Sequence, residues 1–267
     1  MHELNPEAPV MIEVRGLSCG YRDTVVLHDV AFSVRRGEIF FVVGRSGCGK
    51  STLLRNLIGL ETPLAGEVRF DGDDTTGIGH EARRRLLRRM GVLYQSGALW
   101  STMTVAENVA LPLEEHANLS RRDIRELVLV KLGMVGLAGA ADRYPAELSG
   151  GMRKRAGLAR ALVLDPEILF FDEPSAGLDP VSARNLDKLI LQTRESLGTT
   201  IVVVSHDLES ICTVADRVVM LGRDERTVIA EGRPSELIRE SGNPHVREFF
   251  QGALITAGEP TGGGVDL

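Results

Sequence analysis

The segment Gly44-Arg45-Ser46-Gly47-Cys48-Gly49-Lys50-Ser51-Thr52 constrains this chain more than any other. It follows the apolar run Ile39-Phe40-Phe41-Val42-Val43 and precedes Leu53, Leu54, Leu57 and Ile58 at helical spacing, so a buried strand, a tight loop and a helix come in that order. The pattern Gly-x-x-x-x-Gly-Lys-Ser in this setting marks a loop that cradles phosphate. Gly47 and Gly49 permit the tight turn, its amides converge on phosphate oxygens, and the helix start offers further unsatisfied N–H groups to the same anion. Lys50 is expected to neutralise the β and γ phosphates. The Ser51 hydroxyl is placed for a magnesium ion, and Thr52 supports the α-phosphate end. Cys48 reads as a small loop residue whose thiol could make nucleotide binding sensitive to modification.

Once a phosphate loop is present, other residues gain meaning. Ile168-Leu-Phe-Phe-Asp172-Glu173 is a buried strand ending in two carboxylates. Alone, such a pair reads equally as a helix cap; beside bound phosphate, Asp172 holds the metal through water and Glu173 faces an attacking water. His206 lies just past the apolar block 200–204, where it can hydrogen-bond a γ-phosphate. Gln95, after Val92-Leu93-Tyr94, is by itself a solvated loop residue, and in this company a third strand-end group facing metal and water. Leu148-Ser149-Gly150-Gly151-Met152 combines a capping serine, two permissive glycines and a following helix, which makes a second anion-binding surface. Tyr21, in a turn-like stretch, either stacks on an adenine or is an exposed turn residue. Asp179 before Pro180 is an N-cap.

The pattern along the chain is α/β. Short apolar blocks open it, a basic surface helix with Leu86 and Leu87 on its apolar side is expected over 80–89, and a helical lobe follows, with helices at 105–113, 121–132 and 152–164. Blocks at 168–171, 200–204 and 217–221 alternate with a helix lined by Leu186, Leu189, Ile190 and Leu197, which argues for a largely parallel sheet. A hairpin near 223–226, helices at 235–240 and 245–254, and a Gly-rich tail complete it. With 43% hydrophobic and 25% charged residues the chain is globular, and a net charge of −6 excludes a whole-protein attraction to nucleic acid. Three scattered cysteines fit a reducing compartment. The amino terminus lacks a signal-peptide pattern, and no stretch approaches the ~18 apolar residues of a spanning helix. Any work at a membrane is therefore expected from outside the lipid.

Tyr21, 44–52, Gln95, 148–152, 168–173, Ser175-Ala-Gly-Leu-Asp179 and His206 together resemble the ATP-binding cassette family in identity, order and spacing, over about residues 10–240. The resemblance implies a P-loop NTPase fold of the ABC type: a mixed, mainly parallel sheet core, an N-terminal antiparallel β-subdomain and an inserted helical subdomain at about 99–164. It assigns Tyr21 to adenine stacking, Gly44 to Thr52 to the Walker A loop, Gln95 to the Q-loop and Ser149, Gly150 and Gly151 to the signature. Asp172 becomes the Walker B aspartate, Glu173 the catalytic glutamate, Asp179 the D-loop aspartate and His206 the switch histidine. Metal ligation falls to Ser51, Gln95 and Asp172. The cofactors implied are ATP and Mg2+. In this family the signature of one copy closes on ATP held by another, so a homodimer is implied.

The variants Gln95-Ser-Gly-Ala-Leu99, Met152-Arg-Lys-Arg155 and Glu173-Pro-x-x-Gly177-x-Asp179 are similar to the Mla/toluene-tolerance branch, whose members power MCE-type lipid transporters. The branch implies integral-membrane permease subunits, a STAS-domain small subunit, an MCE-domain lipid-binding protein, phospholipid cargo and a place on the cytoplasmic side of the bacterial inner membrane. Met152 stands where many relatives have Gln and cannot supply that polar contact. Motor chemistry leaves two alternatives open: another small-molecule cargo, or a soluble scaffold ATPase of the iron-sulfur assembly kind. The expected division is a flexible 1–9, a nucleotide domain at 10–242, a helical extension at 243–254 and a disordered tail at 255–267. Val246 to Phe250 either holds a neighbouring subunit or packs on its own domain.

Overall fold

The computed structural model describes residues 7–21 and 24–257, so the expectations for 1–6 and for 258–267 lie outside the described residues. The chain runs β1 (Val10–Tyr21), β2 (Thr24–Arg35), β3 (Ile39–Val43), α1 (Lys50–Leu57), β4 (Ala65–Phe70), β5 (Asp73–Asp74), α2 (His80–Arg88) and β6 (Met90–Leu93). The helical lobe follows as α3 (Val105–His116), α4 (Arg121–Met134) and α5 (Gly150–Leu162). The remainder is β7 (Ile168–Asp172), α6 (Pro180–Leu197), β8 (Thr200–Val204), α7 (Leu208–Val214), β9 (Arg217–Leu221), β10 (Val228–Gly232), α8 (Pro234–Glu240) and α9 (Pro244–Ala257).

Two sheets result. One is antiparallel, in the order β2-β1-β4-β5; the other has the order β10-β9-β3-β8-β7-β6, all parallel except the hairpin strand β10. The mixed, mainly parallel core with an antiparallel subdomain and inserted helices is the expected fold. β3, β7 and β8 are buried on both faces, which is why they read as unbroken apolar runs. The two-residue period of a strand sorts them between two cores. Phe41, Val43, Leu169, Phe171, Ile201 and Val203 join the helices on one side; Phe40, Val42, Ile168, Phe170, Val202 and Val204 meet α1 and the antiparallel sheet on the other.

Several local expectations change. Tyr21 ends strand β1 rather than occupying a turn, because it pairs across to Thr24. On α2 only Leu86 packs against the core, while Leu87 is exposed; likewise Leu197 is exposed at the end of α6. The helix after Ser149 starts at Gly150, so Gly150 and Gly151 lie in its first turn at ordinary φ and their value is the missing side chain, not a special backbone conformation. Helix α9 continues to Ala257, past the expected boundary at 254 and into the stretch expected to be disordered. Val246 and Phe250 are buried in the main core, so this helix is packed on its own domain.

Candidate functional site

The order of the parallel sheet brings the motifs together. β8 lies between β3 and β7, with Val42 opposite Val204 and Val204 opposite Asp172, so the phosphate loop, His206 and the Asp172-Glu173 pair leave adjacent strands at the same, carboxyl end. Open α/β sheets bind ligands at that end.

The loop itself is built by conformation. Gly44, Gly47 and Gly49 have φ of 148°, 81° and 100°, which a side chain resists, and a Cβ on Gly44 would come within 2.7 Å of the Leu221 carbonyl oxygen. Apart from its two chain neighbours, none of the described residues has an atom within 4 Å of a Cβ placed on Gly47, so the cradle is open there. Lys50, which begins α1, is buried and its ammonium curls back to donate to the carbonyl oxygens of Gly44 (2.9 Å) and Arg45 (3.4 Å). Those are the contacts an incoming phosphate would replace. Arg45 pairs with Glu248 of α9 on the surface, while Cys48 is buried, and that burial raises its thiol pKa.

Glu173 sits where β7 ends, in the left-handed region at φ 48°, fastened by its N–H to the Val204 carbonyl at 2.8 Å. Its Oε2 lies 2.9 Å from His206 Nδ1 and its Oε1 lies 3.8 Å from Lys50 Nζ. The neighbouring Asp172 accepts from the Ser51 hydroxyl at 3.4 Å. Burial first, and then the Glu173 carboxylate, push the Asp172 carboxyl above its ordinary pKa. A hydroxyl and a carboxylate at this separation are hard oxygen donors. They fit magnesium, which commonly takes one or two protein oxygens and fills its remaining positions with phosphate and water. Among the described residues no group of three or more His, Cys, Asp or Glu forms a metal cage, so Ser51 and Asp172 would share the ion with a nucleotide.

Other candidates are arranged around this centre. The Tyr21 hydroxyl lies 3.1 Å from Thr52 Oγ1 and accepts from Arg55 at 2.9 Å, which holds the half-exposed ring beside the start of α1. Gln95 is exposed two residues beyond β6 and makes no hydrogen bond among the described residues. Ser149 caps α5 by accepting from the Met152 N–H at 3.2 Å, and neither it nor Gly150 nor Gly151 bonds to the phosphate loop. Asp179 is the expected N-cap, accepting from Val181 and Ser182 N–H groups, both at 3.0 Å. The structure thus gathers Lys50, Ser51, Asp172, Glu173 and His206, and leaves Ser149, Gly150 and Gly151 without a hydrogen bond to any of them.

Three contacts were missed by sequence reasoning. Arg55 anchors Tyr21; Arg160 of α5 donates to the carbonyls of Gly97 (3.0 Å) and Ala98 (2.7 Å) after Gln95; and Lys154 of α5 reaches the backbone following Glu173. For Lys154 a signal existed: it shares the buried face of α5 with Leu158, Ala161 and Leu162, at i, i+4, i+7 and i+8.

The chain is similar to known proteins over most of its length. A family profile described as ABC transporter matches residues 27–176. The Haemophilus influenzae protein "Intermembrane phospholipid transport system ATP-binding protein MlaF" is 41% identical over 242 residues, covering 91% of this chain and 90% of that one. The Mycobacterium tuberculosis protein "Probable ribonucleotide transport ATP-binding protein mkl" is also 41% identical, over 246 residues, 92% of this chain and 68% of that one. A dimeric structure of a post-hydrolysis ATP-binding cassette bound to ADP and Pi superposes with a TM-score of 0.77 at 30% identity, over 84% of this chain and 98% of that one.

Proposed function

This chain belongs to the ABC transporter family and is an ATPase of it, and from that premise we propose that it is the motor subunit of a transporter that moves phospholipid between bacterial membranes. The observation that carries the motor chemistry is the Glu173 carboxylate, held between His206 at 2.9 Å and Lys50 at 3.8 Å at the mouth of the phosphate loop.

Lys50 leaves the Gly44 carbonyl to bind the β and γ phosphates, and the amides of 44–52 take the remaining oxygens. Tyr21 lies against the adenine. Ser51 and Asp172 would hold magnesium, with Gln95 approaching from β6, and the ion when bound would supply positive charge against that developing on the phosphate oxygens. Glu173 accepts a hydrogen bond from a water aimed at the γ-phosphorus. As the new P–O bond forms, the bond to the β-phosphate oxygen breaks, and Glu173 takes the proton from the water. His206 keeps the carboxylate aimed and contacts the γ-phosphoryl oxygens. Ser149, Gly150 and Gly151 at the start of α5 make no hydrogen bond to the phosphate loop of their own chain, and in this reading they serve the nucleotide of a second copy, with Asp179 between the copies. The superposition on a dimeric cassette supports that arrangement.

No helix among the described residues is long and apolar enough to cross a membrane, so lipid passage falls to permease partners, with the chain on the cytoplasmic side of the inner membrane. A STAS-domain subunit and an MCE-domain lipid-binding protein complete the assembly. Phospholipid is favoured as cargo because the match to the MlaF protein spans 90% of that protein, whereas the match to the mkl protein spans 68%. Equal identity to the mkl protein supports a second reading, a ribonucleotide cargo. Purification from the native membrane, identification of bound subunits and lipids, and ATP-driven transfer of labelled phospholipid or ribonucleotide by the reconstituted complex separate the two. Nucleotide uptake without lipid transfer would overturn the first.

A further inference from the structure

The side chain of Lys154 is almost wholly buried, with the residue 5% exposed, yet no carboxylate pairs with it among the described residues. Its ammonium instead donates to three backbone carbonyls: Glu173 at 3.2 Å, Ala176 at 2.7 Å, and Pro174. An ammonium has three protons to give, and each finds an acceptor in one turn of chain. These carbonyls belong to the stretch in which Glu173 is held at φ 48°, just beyond β7. Burying a charge is expensive unless it is fully hydrogen-bonded, and an apolar side chain would fill the same space at lower cost. Burial lowers this amine to a pKa of about 8, against the opposing pull of the Glu173 carboxylate.

The same helix carries Ser149 at its start and Arg160 near its end, where the guanidinium grips the carbonyls of Gly97 and Ala98. Helix α5 is therefore fastened by cationic side chains to the backbone that follows Glu173 and to the backbone that follows Gln95. A shift of α5 must move both loops.

We infer that Lys154 is a positioning residue for hydrolysis: it locks the Glu173 loop to α5, and so ties the glutamate of one nucleotide site to the signature serine that the same chain offers to the other. The second half of this inference rests on the two-copy arrangement under Proposed function. Its chemistry is indirect, since Lys154 touches no reacting atom and acts by fixing where the Glu173 carboxylate points.

The test compares wild type, K154M and K154R as full chains with the membrane subunits that copurify. Methionine keeps the length and loses the donors; arginine keeps a charge and donors. ATP turnover at saturation, its cooperativity in ATP, affinity for a non-hydrolysable ATP analogue and thermal midpoint are measured together. K154M is expected to lose about 10- to 100-fold in kcat, the scale of a misplaced catalytic group. Its affinity for the analogue should stay within about twofold, because Lys50 and its loop are untouched, and its cooperativity should fall. K154R should recover a substantial part of kcat. Turnover of K154M within twofold of wild type overturns the inference, as does a parallel loss of turnover and affinity, which marks a merely structural role. Should K154M fail to fold, K154R and K154Q carry the same comparison, and unchanged kcat in both overturns it. A wild-type complex that binds and turns over no ATP would instead overturn the functional reading itself.

Discussion

His206 Nδ1 stands 2.9 Å from Glu173 Oε2, while the other oxygen of that carboxylate stands 3.8 Å from Lys50 Nζ. One carboxylate is thus held from both sides, by a histidine that follows β8 and by the lysine that begins α1. A carboxylate held in this way has a fixed direction, which is what a group that orients a water molecule requires.

Replacing Glu173 with glutamine keeps this shape and removes the proposed proton acceptor. E173Q is expected to lower kcat by about 100-fold or more while ATP affinity is retained, and to accumulate a nucleotide-bound dimer. Phosphate release and size-exclusion chromatography with ATP check this; near-normal steady-state hydrolysis would contradict the assigned role.

The role proposed for Lys50 is in binding. In K50A the loop loses the ammonium that now rests on Gly44 and would turn to the β and γ phosphates. A hydrogen bond to a charged group contributes about 1.5–3 kcal/mol, so nucleotide affinity should weaken roughly 10- to 100-fold. Calorimetric titration with ATP measures it, and an unchanged Kd rejects the lysine assignment.

Asp187 of α6 and Ser210 of α7 form a buried pair, with the hydroxyl donating at 2.6 Å. Burial pushes the Asp187 carboxyl up to about 6, with Asp207 and Glu209 adding to it and Ser210 opposing. The folded state then holds its proton more tightly than the unfolded chain, so stability is lost as pH rises from about 4 through about 6. D187N carries no such penalty. Its thermal midpoint should exceed that of wild type at pH 8, and the gain should shrink on acidification; a gain that grows toward low pH would refute the sign.

Phe250 is 1% exposed, edge-on to Phe249 at 5.1 Å between ring centroids. F250A opens a cavity in the main core and is expected to cost about 3 kcal/mol, read from urea unfolding. E248A, which breaks only the exposed pair with Arg45, should cost under about 1 kcal/mol. Equal effects would show that α9 is held by its surface charges instead.

Much of this site was legible because its residues carry their chemistry locally. Gly44 to Thr52, Asp172-Glu173 and His206 each lie at or just past the end of a short apolar block that reads as a buried strand, and Asp179-Pro180 reads as a helix cap. Less legible were Tyr21, which looked like a turn until β2 paired with it, and Leu87 and Leu197, whose helical spacing fitted an apolar face that the neighbouring elements leave open. Val246 and Phe250 allowed two destinations, and only the fold buries them in their own domain.

By itself the sequence determined a phosphate-binding loop, the strand ends that accompany it and the family to which they belong, because turn chemistry and apolar periodicity are written within a few residues. The tertiary structure decided that β8 lies between β3 and β7, so that Lys50, Glu173 and His206 meet, and that Lys154 grasps the carbonyls beyond Glu173. Backbone carbonyls are the same at every residue. Which of them a buried ammonium will find is settled only when distant segments are packed together.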